Sequence, residues 1–199
     1  MVFESKLPGI SVPNVNIVKF VLDECKRRAS DNHAVFVDSD SEESLTVDQL
    51  ESLVHGFANG LRTKCGIRTG DVVATFATNS IYYPVVAYGI VASGAVCTPA
   101  NPSYTPRELA HQLTNANCKA IIVGDGLLDT VTQALDLMEH PVEHVLSLDE
   151  ARTNGPTSIF NLIVEPETSA FDSADQPTDF KSAPAYLCYS SGTTGKPKG

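Results

Sequence analysis

The chain has 199 residues, 42% of them hydrophobic, which is enough to bury a substantial core in one domain or slightly more. Its 14 Lys and Arg residues stand against 24 Asp and Glu residues, giving a formal net charge of -10. We therefore expect no nucleic-acid partner, because non-specific binding to nucleic-acid phosphates requires clustered basic side chains.

Helical and extended patterns alternate from residue 14 to residue 148. Apolar residues at helical spacing predict helices at Asn14–Ala29, Thr46–Cys65, Ile81–Ser93, Pro106–Asn115 and Leu127–Glu139. Short apolar runs between them predict strands at Ala34–Asp38, Asp71–Ala77, Ala95–Thr98, Ala120–Val123 and His144–Leu148. This alternation predicts an α/β fold in which helices are layered on a mostly parallel sheet.

The second and third predicted helices carry recognisable end signals. Thr46 and Gln49 form a capping pair at the start of the second helix, and Gly66 follows its end. Ser80 is the predicted N-cap of the third helix. Pro84 falls in the first turn of that helix, where the missing N–H group costs least.

Residues 153–184 lose this periodicity and gain Pro, Asp, Ser and Thr. They predict a long surface connection with one short element at Ile159–Val164. An apolar run at Ala185–Tyr189 then predicts a strand that leads into the last residues of the chain.

Several functional classes lack their sequence signals. The first residues contain no basic segment followed by an apolar core, so an ordinary signal peptide is not expected. The longest weakly polar stretch, Val85–Val96, has 12 residues, fewer than the ~20 apolar residues of a membrane-spanning helix. The five cysteines are odd in number and form no CxxC pair, so we expect neither a disulfide scaffold nor a zinc site.

No histidine has the neighbours expected of a metal ligand. His140 and His144 are four residues apart, but Pro141 interrupts the helix that would place them on one face. Ser190 and Ser191 have no candidate base nearby in the sequence, so no Ser-His-Asp triad is predicted. We therefore assign no metal ligand and no catalytic residue within these 199 residues.

The last eleven residues, Tyr189–Gly199, combine hydroxyls, glycines and lysines directly after the predicted strand. Glycines let main-chain N–H groups approach an anion, hydroxyls add donors and lysines neutralise charge, so the segment is typical of a phosphate-binding loop. A Walker A loop is excluded, because only two residues separate Gly192 from Gly195 and Pro197 replaces the magnesium-binding hydroxyl. A flexible tail and an unrelated phosphate-binding α/β module, such as a nucleotide hydrolase, are the alternatives.

The run Tyr-Ser-Ser-Gly-Thr-Thr-Gly-Lys-Pro-Lys-Gly at 189–199 resembles the signature loop of the adenylate-forming superfamily. That superfamily includes acyl- and aryl-CoA synthetases, firefly-type luciferases and the adenylation domains of peptide synthetases. By this resemblance the residues that would surround the β- and γ-phosphates of ATP are Ser190, Ser191, Gly192, Thr193, Thr194, Gly195 and Lys198. Lys196 stands at the family's variable position, so Lys198 is the predicted phosphate-binding lysine.

A second segment, 94–109, resembles the GAV-x-TPANP-x-YT-x-x-EL block of 4-coumarate:CoA ligase-like enzymes. Peptide-synthetase domains usually have an aspartate where Asn101 stands, which disfavours amino-acid activation. Independently of the family, Thr105, Pro106 and Glu108 form a capping box with proline in the first turn and predict the start of a helix. We expect this block to identify the fold and to contact no substrate.

The resemblance implies a two-step ligation. A carboxylate attacks the α-phosphate of ATP and pyrophosphate leaves, and the thiolate of coenzyme A then displaces AMP from the acyl-adenylate. ATP, Mg²⁺ and coenzyme A are the implied cofactors and co-substrates, and a small-molecule carboxylic acid is the implied substrate. The loop would hold the departing pyrophosphate, and Mg²⁺ would bridge the phosphates.

The resemblance covers only the N-terminal part of the family fold. In the family, the acyl pocket, the adenine contacts and a C-terminal domain with an adenylation lysine lie downstream of the loop. We therefore expect residues 1–199 to be the N-terminal portion of an AMP-binding domain, ending at the phosphate loop without the C-terminal domain, and not to complete adenylation alone. The alternatives are a non-catalytic truncated nucleotide-binding module, a luciferase-like enzyme or a peptide-synthetase adenylation enzyme. The expected location is intracellular, either cytoplasmic or peroxisomal.

Overall fold

Helices and strands alternate along the chain in the computed structural model, which describes residues 7–28, 33–149, 155–164, 169–172 and 176–190. The helices are α1 (Ile17–Arg28), α2 (Val47–Lys64), α3 (Tyr83–Ala92), α4 (Pro106–Asn115), α5 (Leu128–Asp136) and α6 (Ile159–Leu162). The strands are β1 (Ala34–Val37), β2 (Ser44–Thr46), β3 (Val72–Phe76), β4 (Val96–Pro99), β5 (Cys118–Val123), β6 (His144–Ser147) and β7 (Thr157–Ser158). A 3-10 turn covers Ala170–Asp172.

Five strands form a parallel sheet in the order β4-β3-β5-β6-β7, while β1 and β2 pair as a separate antiparallel hairpin. Val73 in β3 lies beside Cys97 in β4 and Ala120 in β5. Helices α3, α4 and α5 join β3 to β4, β4 to β5 and β5 to β6, which is the connection typical of parallel pairing. The predicted α/β class with a mostly parallel sheet is confirmed.

The helices cover both faces of the sheet. Val73 and Ile122 pack into a core with residues of α1, α2, α3 and α6. Ala74 and Phe76, which alternate with Val73, pack with residues of α4 and α5 on the opposite face. Because successive strand side chains point to opposite faces, one strand supplies both cores and the fold has three layers.

Several predicted element ends differ from the structure. Helix α1 begins at Ile17 rather than Asn14, because Asn16 is its N-cap and accepts a hydrogen bond from Val18 N at 2.9 Å. Helix α5 ends at Asp136 rather than Glu139, in a tight turn that precedes Pro141. Strand β2 was not predicted, because its three residues are too short to show a period.

The prediction of Ser80 as the N-cap of the third helix is wrong. Helix α3 begins at Tyr83, its N-cap is Tyr82, and no side chain caps it. The Ser80 hydroxyl instead accepts a hydrogen bond from Tyr82 N at 3.2 Å in the turn before the helix. Pro84 explains the shift, since its fixed φ favours a position in the first helical turn.

Helix α2 approaches α6 closely through two glycines. A Cβ atom added to Gly60 would lie 2.0 Å from Leu162 O, and one added to Gly56 would lie 2.8 Å from Val164 O. The short element predicted at Ile159–Val164 is present as α6. Its backbone lies against the backbone of α2. Only residues without a side chain allow this contact.

Substitution of Gly60 by alanine tests the contact between α2 and α6. We expect Gly60→Ala to lower the free energy of unfolding by about 2 kcal/mol, although alanine gains about 1 kcal/mol in helix propensity, because overpacking against a backbone carbonyl dominates. Urea denaturation followed by circular dichroism measures the change. Ser52→Ala, at an exposed position of the same helix, is the control, and an equal or higher stability of Gly60→Ala would contradict this packing.

A buried arginine caps the C-terminus of helix α3. Arg62 on α2 is only 7% exposed. Its Nε donates to Ser93 O at 3.1 Å, and its Nη2 donates to Ala92 O at 3.0 Å and to Ala170 O at 2.9 Å. The last carbonyls of a helix have no intrahelical partner and carry partial negative charge, so a guanidinium suits them in both geometry and sign.

Two amide side chains complete the same cluster of carbonyls. Asn16 Nδ2 donates to Val91 O at 3.1 Å. Gln176 Nε2 donates to Ala92 O at 2.6 Å and to Ala170 O at 3.1 Å. The C-terminus of α3 therefore connects the start of α1 and helix α2 with Ala170 and Gln176.

Replacing Arg62 by methionine isolates the hydrogen bonds from the packing of the side-chain stem. We expect Arg62→Met to lower the free energy of unfolding by about 3 kcal/mol, because buried carbonyls lose their donors at about 1–3 kcal/mol each. Arg107→Met, at an exposed position on α4, should change the stability by less than about 0.5 kcal/mol. Similar losses of unfolding free energy in the two variants, measured by urea denaturation, would show that the Arg62 guanidinium does not stabilise the end of α3.

Candidate functional site

Residues 185–187, which we call the edge segment, run beside β4 at the border of the sheet. Tyr186 forms a parallel bridge with Cys97. Cys97 N donates to Ala185 O and Leu187 N donates to Cys97 O, both at 2.9 Å. The strand predicted at Ala185–Tyr189 is therefore present in part, as an extended segment that continues the parallel sheet.

The parallel strands all end at one edge of the sheet, which we call the carboxyl edge. The edge segment has the same direction as β4, so it delivers Ser190 to that edge. In open parallel sheets, ligands bind in the crevice outside the carboxyl ends of the strands. Ser190 is thus placed where a phosphate-binding loop is expected. The other predicted loop residues lie outside the described residues: Ser191, Gly192, Thr193, Thr194, Gly195 and Lys198.

The described part of the carboxyl edge is acidic. A polar depression of about 260 Å³ opens between the ends of β5 and β6, and Asp125 and Asp149 contribute to its wall. In the described stretches that follow the strands (77–82, 100–105, 124–127, 148–149 and 188–190) there is no Lys or Arg. The lysines that follow Ser190 most closely in the sequence are Lys196 and Lys198, which lie outside the described residues.

A buried side-chain network supports the edge segment. Thr98 and Gln112 are both fully buried. Thr98 Oγ1 donates to Leu187 O at 2.8 Å, and Gln112 Nε2 donates to Thr98 Oγ1 at 2.9 Å and to Pro99 O at 3.1 Å. Sequence analysis assigned no such role to these residues, since the contacts join three separate parts of the chain.

Helix α4 carries this network and is bounded as predicted. Thr105 and Glu108 form the expected capping box, in which Thr105 N donates to Glu108 Oε2 at 2.8 Å. Hydrogen bonds from the Thr105 backbone and hydroxyl lower the pKa of Glu108, so the box is formed by a carboxylate at neutral pH. At the other end of α4, Asn115 Oδ1 accepts a hydrogen bond from the Tyr189 hydroxyl.

The thiols of β4, of β5 and of the residue after the edge segment differ in accessibility. Burial raises the pKa of Cys97 and of Cys118 to about 12, so both are neutral thiols at physiological pH. Cys188 is exposed beside the edge segment. Over the described residues, no group of three or more His, Cys, Asp or Glu side chains has the arrangement of a metal site. The helices of those same ranges are too short or too polar to cross a lipid bilayer.

A protein-family model described as AMP-binding enzyme matches residues 22–199 of this sequence. The chain belongs to the AMP-binding enzyme family. The superfamily membership predicted from the terminal loop and from the 94–109 block is confirmed.

Named relatives support the same assignment. The chain is 34% identical over 201 residues to 4-coumarate–CoA ligase 3 of Arabidopsis thaliana, which covers 100% of the chain and 34% of that protein. It is 29% identical over 195 residues to the acyl-CoA ligase azaF of Aspergillus niger, covering 96% of the chain and 36% of that protein. The chain thus spans about a third of the length of the curated relatives it matches.

A solved structure shows the same fold. The anthranilate CoA ligase AuaEII, crystallised in complex with anthranoyl-AMP, matches with a TM-score of 0.78 at 22% identity, covering 94% of this chain and 34% of that one. The fold is therefore that of the N-terminal part of adenylate-forming enzymes. The roles of the individual loop residues stay predictions.

Proposed function

We propose that this chain carries the phosphate-binding part of an ATP-dependent acid–CoA ligase. The ligase would activate a small-molecule carboxylic acid as its acyl-AMP and transfer the acyl group to coenzyme A. The observation that carries the proposal is the delivery of Ser190 to the carboxyl edge by an edge segment parallel to β4. The names of the CoA-ligase relatives and the anthranoyl-AMP bound to the structural neighbour support the reaction type.

The first step places negative charge on the leaving pyrophosphate. A carboxylate oxygen bonds to the α-phosphorus, and the bond from that phosphorus to the oxygen bridging to the β-phosphate breaks with its electron pair. Hydroxyl and main-chain N–H donors of Ser190 to Gly195, together with the Lys198 ammonium, would stabilise the charge that develops. Such preorganised donors are worth about 3 kcal/mol each in other enzymes. Mg²⁺ would enter with the nucleotide and screen its phosphates.

In the second step the acyl group is transferred from AMP to coenzyme A. The coenzyme A thiolate forms a thioester bond to this carbon, and the bond between the carbon and the oxygen of AMP breaks. Because ATP and coenzyme A are intracellular metabolites, a cytoplasmic or peroxisomal location fits this reaction. We place residues 1–199 in the N-terminal portion of the AMP-binding domain, because the resemblance of the terminal loop puts that loop at the end of this portion.

The proposed role of Lys198 is tested by binding. We expect magnesium pyrophosphate to bind the chain in isothermal titration calorimetry, and Lys198→Ala to weaken that affinity by at least tenfold, because one charge-assisted contact is worth about 1.5–3 kcal/mol. Lys196→Ala is the matched control and should lose less than threefold. Lys181→Ala, at an exposed position that precedes the terminal loop in the sequence, should lose nothing. Equal affinities for wild type and Lys198→Ala would contradict the assignment.

A second expectation concerns catalysis by these residues alone. Adenylation also needs groups that hold the acid and the adenosine, and none has been assigned within residues 1–199. We expect the purified chain to show no ATP–pyrophosphate exchange with a panel of aryl and fatty acids. Acid-dependent incorporation of labelled pyrophosphate into ATP would contradict the expectation that residues 1–199 do not complete adenylation alone.

A further inference from the structure

Strand β4 lacks one backbone donor on the side that faces the edge segment. Its even-numbered residues bond toward β3, as Val96 N does to Asp71 O and Ala100 N to Thr75 O, both at 2.8 Å. Cys97 bonds toward the edge segment through both its N–H and its C=O. In a parallel ladder the next donor would be the N–H of residue 99, bonding to Leu187 O, but Pro99 has no N–H.

The Thr98 hydroxyl supplies the missing donor. Its Oγ1 lies 2.8 Å from Leu187 O, the carbonyl that Pro99 leaves without a ladder partner. A carbonyl only accepts, so the Thr98 hydroxyl must donate to Leu187 and accept from Gln112 Nε2. The Gln112 amide is oriented in turn by its second bond, to Pro99 O, which is also only an acceptor. The direction of each hydrogen bond in the network is therefore determined.

We infer that Thr98 and Gln112 are positioning residues that hold the edge segment in register, so that Ser190 and the loop after it start from a defined point at the carboxyl edge. The inference rests on the proposed function, because it assigns the network to the phosphate loop. Ser190 follows Leu187 by three residues, so any slippage of the edge segment moves the beginning of the loop. Within the described residues Gln112 Oε1 is buried without a hydrogen-bond partner. A side chain that only filled the core would avoid that cost.

Amide hydrogen exchange in the full chain measures how firmly the edge segment is bonded to β4. We expect Thr98→Val, which keeps the shape and removes the hydroxyl, to lower the protection of the Leu187 amide about tenfold relative to the β5 amides. That factor corresponds to the loss of about one hydrogen bond. Thr98→Ser should restore the protection, and Gln112→Leu should lower it less than Thr98→Val. Thr132→Val, which removes an exposed hydroxyl bonded to Leu128 O on α5, should change nothing.

Affinity for magnesium pyrophosphate, measured by calorimetry on the same variants, separates this inference from the proposed function. At a temperature where every variant is fully folded, we expect Thr98→Val to weaken binding about tenfold and Thr98→Ser to bind like wild type. Unchanged Leu187 protection in Thr98→Val, or lowered protection with unchanged affinity, would overturn the positioning role. If wild type binds no pyrophosphate, the proposed function fails, while the exchange data still decide whether Thr98 holds the edge segment.

Discussion

The C-terminal carbonyls of α3 are the constraint on which the rest of the architecture depends. They sit inside the core, where water does not satisfy them, and the Arg62 guanidinium supplies donors from α2. A buried cation is costly unless its donors are used, and here they reach Ser93, Ala92 and the carbonyl of Ala170. The same interaction therefore satisfies a helix end and attaches the long connection to the core.

This constraint extends to the candidate site through β4. Helix α3 ends at Ala92, and β4 begins at Val96, so fixing the helix end fixes the start of the strand. Strand β4 then pairs with the edge segment through the backbone hydrogen bonds of Cys97. The position of Ser190 thus derives from a chain of contacts that begins with a helix terminus on one face of the sheet and ends at its carboxyl edge.

Local signals in the sequence predicted most of the fold. The features that were missed depend on contacts between residues that are far apart in the sequence. The helix at Pro106–Asn115 was predicted to the residue, because the Thr105 and Glu108 capping box acts within four residues. Arg62 shows the opposite case, since the carbonyls it bonds to lie 30 to 108 residues away and no spacing rule identifies them. Thr98 and Gln112 were missed for the same reason, although the Thr-Pro pair signals a strand that lacks one donor. The phosphate-binding roles of the loop residues were predicted from family resemblance and not from periodicity, and they stay predictions.

The acidity of the protein explains why positioning matters at this site. With a formal net charge of -10 and the carboxylates of Asp125 and Asp149 at the carboxyl edge, the long-range field does not attract a nucleoside triphosphate. Under the proposed function, affinity for phosphate would come from short-range donors and a nearby lysine, whose contributions depend steeply on distance and angle. A loop of that kind binds only if its starting point is held in place. A proline that interrupts the supporting ladder therefore needs compensation, and the Thr98 hydroxyl provides it without adding a charge to the core.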